Sequence, residues 1–114
     1  MSKKSDMARL ESILDYIDDI EKITIKHGSV QGVLSDMEGQ YAILMCLQQI
    51  GEILNKIKSE EYRSILPIKG AIGFRNVIVH DYNGINLSVA KLTIEQQIPE
   101  LRKTIQKIMK HDND

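Results

Sequence analysis

Residues 37–58 of this chain, MEGQYAILMCLQQIGEILNKIK, form the segment that decides the fold. Residues 41–47 would be apolar on every side of a helix, and one apolar stripe continues beyond them at three- and four-residue steps: Ile50, Ile53, Leu54 and Ile57. A helix that is apolar on all sides is normally buried on all sides. The segment therefore predicts a central helix inside a bundle, with Met45 and Cys46 in the core.

The N-terminal segment predicts an amphipathic helix over residues 6–26. Its apolar side chains recur at helical spacing: Leu10, Ile13, Leu14, Ile17, Ile20 and Thr24. Asp6 is the expected N-cap, and Lys26 followed by Gly28 is typical of a helix end. His27 lies at that end, where a histidine more often interacts with the helix dipole than binds a ligand.

The second half of the chain predicts three further helices. Pro67 suits the first turn of one that runs to an Asn-Gly turn, Asn86 or Ser88 caps a short one, and Pro99 opens the last. Together with the first two helices, this order predicts an all-α, up-and-down helical bundle of four main helices plus a short extra helix. We expect a single domain over residues 1–114.

Composition narrows the possible functions. Fifteen basic and sixteen acidic residues give a net charge of −1, which argues against a protein that coats nucleic acid broadly but leaves room for a small basic pocket. The single cysteine, Cys46, forbids an internal disulfide and fits a reducing compartment. No apolar run approaches ~18 residues, so we predict no membrane insertion and a cytoplasmic location.

Residues 73–84, GFRNVIVHDYNG, concentrate the chemically useful side chains on the third long helix. Arg75 falls among aliphatic side chains, where a guanidinium needs a carboxylate or phosphate partner or an edge position. A second stripe of the helix is polar or small throughout: Lys69, Gly73, Asn76 and His80. A stripe that contains glycine leaves room for another molecule to approach. If this protein is an enzyme, its site is here.

Arginine and histidine together favour acid–base chemistry on a phosphate ester. Arginine offers a fixed fork for phosphate oxygens, and histidine transfers protons near neutral pH. The three histidines are scattered, and neither an HExxH nor a CxxC spacing occurs, so the sequence predicts neither a metal site nor a cofactor. Arg75 and His80 would lie about 140° apart around one helix. The two side chains could still act on one phosphate if the last turn of the helix frays or if a second protomer completes the site.

Gly51 and Glu52 leave two interpretations open. Gly51 would let a neighbouring helix approach the central one closely, and Glu52 could then reach a cation on that helix. A solvated Glu52 with no particular partner fits the sequence equally well.

The pattern Arg75-Asn76-x-x-x-His80-x-Tyr82 resembles the Arg-x4-His motif of HEPN domains (higher eukaryotes and prokaryotes nucleotide-binding), in the Arg-x4-His-x-Tyr form of HepT-like toxins. The resemblance extends, in the same order, through residues 47–52, 81–86 and 98–101. The chain departs from many relatives because it lacks the tryptophan often found ahead of the motif, a difference that affects packing more than chemistry.

The resemblance implies a homodimeric helical bundle in which the arginine and histidine of both protomers share one cleft. It also implies a metal-independent endoribonuclease acting on RNA. Arg75 would hold the scissile phosphate, and His80 would be the general base or acid for attack by the ribose 2′-OH. Asn76 and Asp81 would position the substrate or orient the histidine.

HepT-like toxins are paired with a minimal nucleotidyltransferase antitoxin that adds AMP to the motif tyrosine, which is Tyr82 here. The resemblance therefore predicts a toxin–antitoxin function with Tyr82 as the modification site. A second function stays open: a catalytically silent HEPN subunit that binds a nucleotidyltransferase partner, with or without nucleotide.

Overall fold

The computed structural model describes residues 2–112, with side chains from residue 4 onward, and the regular elements in this range are all helical. Residues 1, 113 and 114 of the predicted domain lie outside the described part. The α-helices are α1 (Ser2–Lys26), α2 (Val30–Ser35), α3 (Met37–Lys56), α4 (Glu60–Arg63), α5 (Ile68–His80), α6 (Leu87–Leu92) and α7 (Ile98–Asp112). A 3₁₀ turn covers Tyr82–Gly84, and a π-helical turn covers Thr93–Gln97.

Four long helices, α1, α3, α5 and α7, form the bundle, which confirms the predicted fold class. Helix α3 packs against both α1 and α5, and α7 packs against α1. Aliphatic side chains dominate the core, and those fully removed from solvent include Leu10, Ile13, Ile43, Leu54 and Ile105. The predicted short extra helix is α6, and the connections that follow α3 and α5 contain further short pieces that were not predicted, α4 and the 3₁₀ turn.

Asp6 does not cap α1, contrary to the prediction. Helix α1 already begins at Ser2, and the Asp6 side chain is completely buried. Its carboxylate accepts hydrogen bonds from the backbone N–H groups of Lys58 (3.0 Å) and Ser59 (2.8 Å), and Arg9 pairs with it at 3.0 Å. Asp6 therefore ties α1 to the segment that follows α3, about fifty residues away in sequence.

Replacing Asp6 with alanine is expected to lower the free energy of unfolding by about 2–5 kcal/mol, because two backbone N–H donors and the Arg9 guanidinium lose their buried acceptor. Urea denaturation would measure the loss. Asp15→Ala is the matched control, since Asp15 is exposed on the same helix, and it should change stability by less than about 0.5 kcal/mol. Equal stabilities for the two variants would contradict this role of Asp6.

The C-terminal end of α1 forms as predicted. The His27 ring Nδ1 lies 2.9 Å from the carbonyl oxygen of Ile23 in the last turn, and Gly28 takes a positive φ of 85°. The other ring nitrogen of His27 lies 3.3 Å from a carboxylate oxygen of Asp36, which caps α3. These contacts give His27 a structural role between α1 and α3.

The prediction that α3 is buried on all sides is wrong for one side. Tyr41 is 54% exposed and Met45 is 58% exposed. Helices α1 and α5 cover two sides of α3, and in residues 2–112 no helix covers the side that carries Tyr41 and Met45. Cys46 is in the core as predicted, and burial raises the pKa of its thiol to about 11, so the thiol stays protonated.

The predicted short helix and last helix are continuous rather than separate. Asn86, and not Ser88, caps α6 by accepting from the backbone N–H groups of Ser88 and Val89. The π-helical turn then leads directly into α7, whose second residue is Pro99. A proline has no N–H for the preceding turn, and the wider π turn accommodates that lost bond without a break. Across residues 2–112, no helix is both long and apolar enough to cross a membrane.

Candidate active site

Helix α5 carries Arg75 and His80 on different sides. The helix stays regular to its last residue, His80, because the N–H of Asp81 donates to the carbonyl oxygen of Val77 at 2.9 Å. The last turn does not fray, so the five-residue spacing keeps the two side chains about 140° apart around the axis. Arg75 is 19% exposed and lies toward α3, whereas His80 is exposed to solvent. A single chain therefore does not bring the two side chains onto one surface.

Arg75 pairs with Glu52, which resolves the open question about that carboxylate. The Nε atom of Arg75 lies 3.2 Å from the Oε1 atom of Glu52 on α3. Gly51 permits this contact, since a Cβ there would lie 2.9 Å from the carbonyl oxygen of Ala71 and 2.9 Å from the Cβ of Arg75. The two helices cross closely at this point, as the glycine predicted.

The two candidate supporting residues are exposed. Asn76 lies on the outer side of α5, and Asp81 is the first residue after the helix. The Asp81 carbonyl accepts from the N–H of Gly84 at 2.9 Å, and its carboxylate lies against Gly84, where an added Cβ would force the carboxylate to move. Within the described residues, no hydrogen bond or ion pair joins Asp81 to His80. The predicted roles of Asn76 and Asp81 stay predictions.

Tyr82 is held against the N-terminal part of α3. Its hydroxyl donates to the Oε1 atom of Gln40 at 2.8 Å, and the Gln40 amide donates in turn to the carbonyl oxygen of Leu34 at 2.9 Å. The Tyr82 ring meets the Tyr41 ring edge-on, with centroids 5.6 Å apart. Burial, and secondarily Tyr41, raises the pKa of Tyr82 above its usual value, so the phenol is neutral at physiological pH.

Gln40 and Tyr41 are site residues that the sequence interpretation missed. Tyr41 was assigned to the core with the apolar run, and Gln40 lies 42 residues before Tyr82. One signal was available: a glutamine followed by a tyrosine at the start of an otherwise apolar helix. Nothing in the spacing, however, indicated which segment these side chains face.

A groove of about 450 Å³ runs beside α5, between that helix and the segment from the 3₁₀ turn to the π turn. Gly70, Gly73 and Val77 line one side, and Ile85 and Val89 line the other. A Cβ on either glycine would meet no atom within 4 Å, so this part of α5 is open. Two of the apolar side chains that line the groove, Val77 and Val89, are exposed. This surface, which we call the α5 groove, is accessible to a second protein chain.

Over residues 2–112, no three His, Cys, Asp or Glu side chains form a group that could hold a metal ion. Of the motif side chains, Arg75 is of a type that binds phosphate and His80 of a type that transfers protons near neutral pH.

Comparison with known proteins identifies the family. A family model described as "Ribonuclease HepT-like" matches residues 13–108, most of the chain. The chain belongs to the HepT-like ribonuclease family. This match confirms the resemblance drawn from the motif, and with it the predicted enzyme class, a HEPN-type ribonuclease.

Two relatives illustrate how far the similarity to other HepT-like proteins extends. "Putative RNase MJ1216" of Methanocaldococcus jannaschii is 34% identical over 113 residues, which cover 96% of this chain and 92% of that protein. "Probable ribonuclease HepT" of Thermococcus cleftensis is 28% identical over 110 residues, which cover 95% and 99%. The similarity thus spans nearly the whole of each protein. No solved structure matches the chain.

Proposed function

We propose that this HepT-like chain is a metal-independent endoribonuclease that acts as the toxin of a toxin–antitoxin pair. The observation that supports this most is the contrast between the two motif side chains. Arg75 is partly buried and held by Glu52, whereas His80 is exposed at the end of the same helix. An oriented cation can stabilise the charge that develops on a phosphodiester, and an accessible proton carrier can activate the attacking hydroxyl.

In the proposed reaction, the substrate supplies its own nucleophile. His80 takes the proton of a ribose 2′-OH, and the 2′ oxygen forms a bond to the neighbouring phosphorus while the bond from phosphorus to the 5′ oxygen breaks. The departing 5′ oxygen takes a proton from water, and His80 releases the proton that it took to the solvent. The products are a 2′,3′-cyclic phosphate and a 5′-OH. Arg75 stabilises the charge that grows on the phosphate oxygens.

The proposed enzyme is a homodimer with a shared site. Arg75 and His80 of one chain are on different sides of α5, so a second protomer is needed to bring one of each around the same phosphate. The α5 groove, in which Val77 and Val89 are exposed, offers a surface for that protomer on the helix that carries His80. Arg75 does not itself require the second chain, because Glu52 already pairs with it. Sedimentation of a monomer alone at micromolar concentration would contradict the shared site.

We propose further that a minimal nucleotidyltransferase antitoxin silences the enzyme by adding AMP to Tyr82. The Tyr82 oxygen would attack the α-phosphorus of ATP, and pyrophosphate would leave. Because the phenol has a raised pKa and donates to Gln40, the partner has to supply a base and release that hydrogen bond. The added AMP carries a negative phosphate and a bulky nucleoside, and Tyr82 follows His80 by two residues. The modification would therefore oppose RNA binding by charge repulsion and by bulk.

Tyr82→Phe is expected to keep ribonuclease activity while escaping the antitoxin. The phenylalanine ring retains the packing on Tyr41 and loses only the Gln40 hydrogen bond, at a cost of about 1 kcal/mol of stability. Incubation with the nucleotidyltransferase and ATP, followed by intact-mass analysis and an RNA cleavage assay, would test this. Wild type and the control Tyr16→Phe should gain one AMP group and lose cleavage. Modification of Tyr82→Phe, or cleavage by fully modified wild type, would contradict the proposal.

Cleavage of labelled RNA by the purified, unmodified protein in excess EDTA tests the proposed activity. We expect internal cleavage with 2′,3′-cyclic phosphate ends and no dependence on added divalent metal. Absence of cleavage, with Tyr82 unmodified by intact mass, would overturn the nuclease proposal. It would favour the second function, a catalytically silent subunit that binds the nucleotidyltransferase.

A further inference from the structure

We propose that Glu52 is a positioning residue that orients the guanidinium of Arg75 toward the scissile phosphate. The proposal rests on the ribonuclease function proposed above. Three observations support it. The Nε atom of Arg75 lies 3.2 Å from the Oε1 atom of Glu52, the Arg75 stem packs on Gly51, and Nε is buried. The packing holds the stem of Arg75, and the ion pair attracts the Nε edge of the guanidinium toward α3.

The edge that Glu52 occupies leaves the phosphate-binding fork of Arg75 available. A guanidinium is planar, and its Nε lies at the stem while its two Nη atoms extend beyond. Among the residues described, Glu52 is the one carboxylate within 4 Å of Arg75, and it contacts Nε. The two Nη groups therefore keep their donors for a ligand, and bidentate binding of phosphate uses such a pair of donors.

The ion pair between Arg75 and Glu52 is expected to contribute little to the stability of the fold. The Nε–H bond does not point at the carboxylate well enough to form a hydrogen bond, and the buried Nε has no other acceptor in the described chain. Glu52 is one-third exposed, so water weakens the attraction. Groups in catalytic sites are often misaligned without substrate and align when it binds. A phosphate that draws the Nη atoms outward could turn Nε–H toward Oε1.

The test compares Glu52→Gln and Glu52→Asp with wild type in RNA cleavage under single-turnover conditions. Glu11→Gln, which replaces an exposed glutamate on α1, is the matched control. Glutamine keeps an acceptor of the same length but removes the charge, and aspartate keeps the charge. We expect Glu52→Gln to slow cleavage about 10- to 100-fold through misorientation of Arg75, Glu52→Asp to recover part of that loss, and Glu11→Gln to match wild type.

A double-mutant cycle distinguishes positioning from general stabilisation. If Glu52 acts through Arg75, Glu52→Gln should cause no further loss in protein that already carries Arg75→Ala. A purely structural role would instead lower the folded fraction and reduce cleavage by the same factor in both backgrounds. That result, or wild-type cleavage by Glu52→Gln, would overturn the positioning role while leaving the ribonuclease function intact.

Failure of the ribonuclease function would appear differently, as a wild type that does not cleave. In that case, binding of a non-cleavable 2′-O-methyl oligonucleotide provides the test. Weaker binding by both Glu52→Gln and Arg75→Ala, with no change for Glu11→Gln, would support the positioning of Arg75 for phosphate. Unchanged binding by Glu52→Gln would overturn it.

Discussion

Protein carrying His80→Ala should cleave RNA about 10²- to 10⁴-fold more slowly than wild type, because it loses the group that moves protons in the reaction. The substitution should have little effect on stability, since the His80 side chain is exposed and forms no hydrogen bond within residues 2–112. Single-turnover cleavage rates, compared after circular dichroism has shown equal folding, would measure the effect.

His111→Ala is the matched control for His80→Ala. The side chain of His111 is 80% exposed on α7, away from the motif helix. This variant should cleave at the wild-type rate. Comparable losses for both variants, or no loss for His80→Ala, would show that His80 does not carry the proton transfer.

Arg75→Ala is expected to slow cleavage about 10²- to 10³-fold, the range measured when one preorganised donor to a developing oxyanion is removed. Arg75→Lys should restore little of this loss, because an ammonium group lacks the planar fork and cannot contact Glu52 and a phosphate in the same way. The rates of both variants, measured with the same RNA at fixed salt concentration, test the prediction.

Arg102→Ala is the control for loss of a paired arginine. Arg102 on α7 forms 2.9 Å contacts with Asp18 and Glu21 of α1, and it is partly buried to a similar extent. Its replacement should leave the cleavage rate within about twofold of wild type once folding is equal.

A full recovery of the cleavage rate by Arg75→Lys would indicate that only the positive charge at position 75 matters, and not the oriented fork.

The sequence predicted the helices well because apolar spacing and capping residues act over a few positions. The His27 and Gly28 helix end, the glycine contact at position 51 and the start of α5 after Pro67 all follow from local rules. Burial was harder to predict. Tyr41 and Met45 are exposed because no neighbouring helix covers that side of α3, and helix arrangement is not encoded in one segment's pattern.

The sequence indicated candidate site residues through a single motif, but it did not indicate which side chains contact them. Arg75 and His80 are close in sequence and share one motif. The contacts that hold the site come from α3: Glu52 on Arg75, and Gln40 with Tyr41 on Tyr82. Each of these contacts depends on how α3 is placed against α5 and the 3₁₀ turn that follows it. Asp6 failed as an N-cap for a related reason, since its partners lie about fifty residues away.

The measurement that tests the central proposal most directly mixes Arg75→Ala protein with His80→Ala protein under conditions that exchange protomers. If each site takes Arg75 from one protomer and His80 from the other, half of the dimers are mixed and each mixed dimer has one intact site. The mixture should then recover about one quarter of wild-type activity in EDTA, although each variant alone cleaves at least about 100-fold more slowly than wild type. No recovery, with protomer exchange demonstrated by labelled subunits and wild type active in parallel, would contradict a site shared between two protomers.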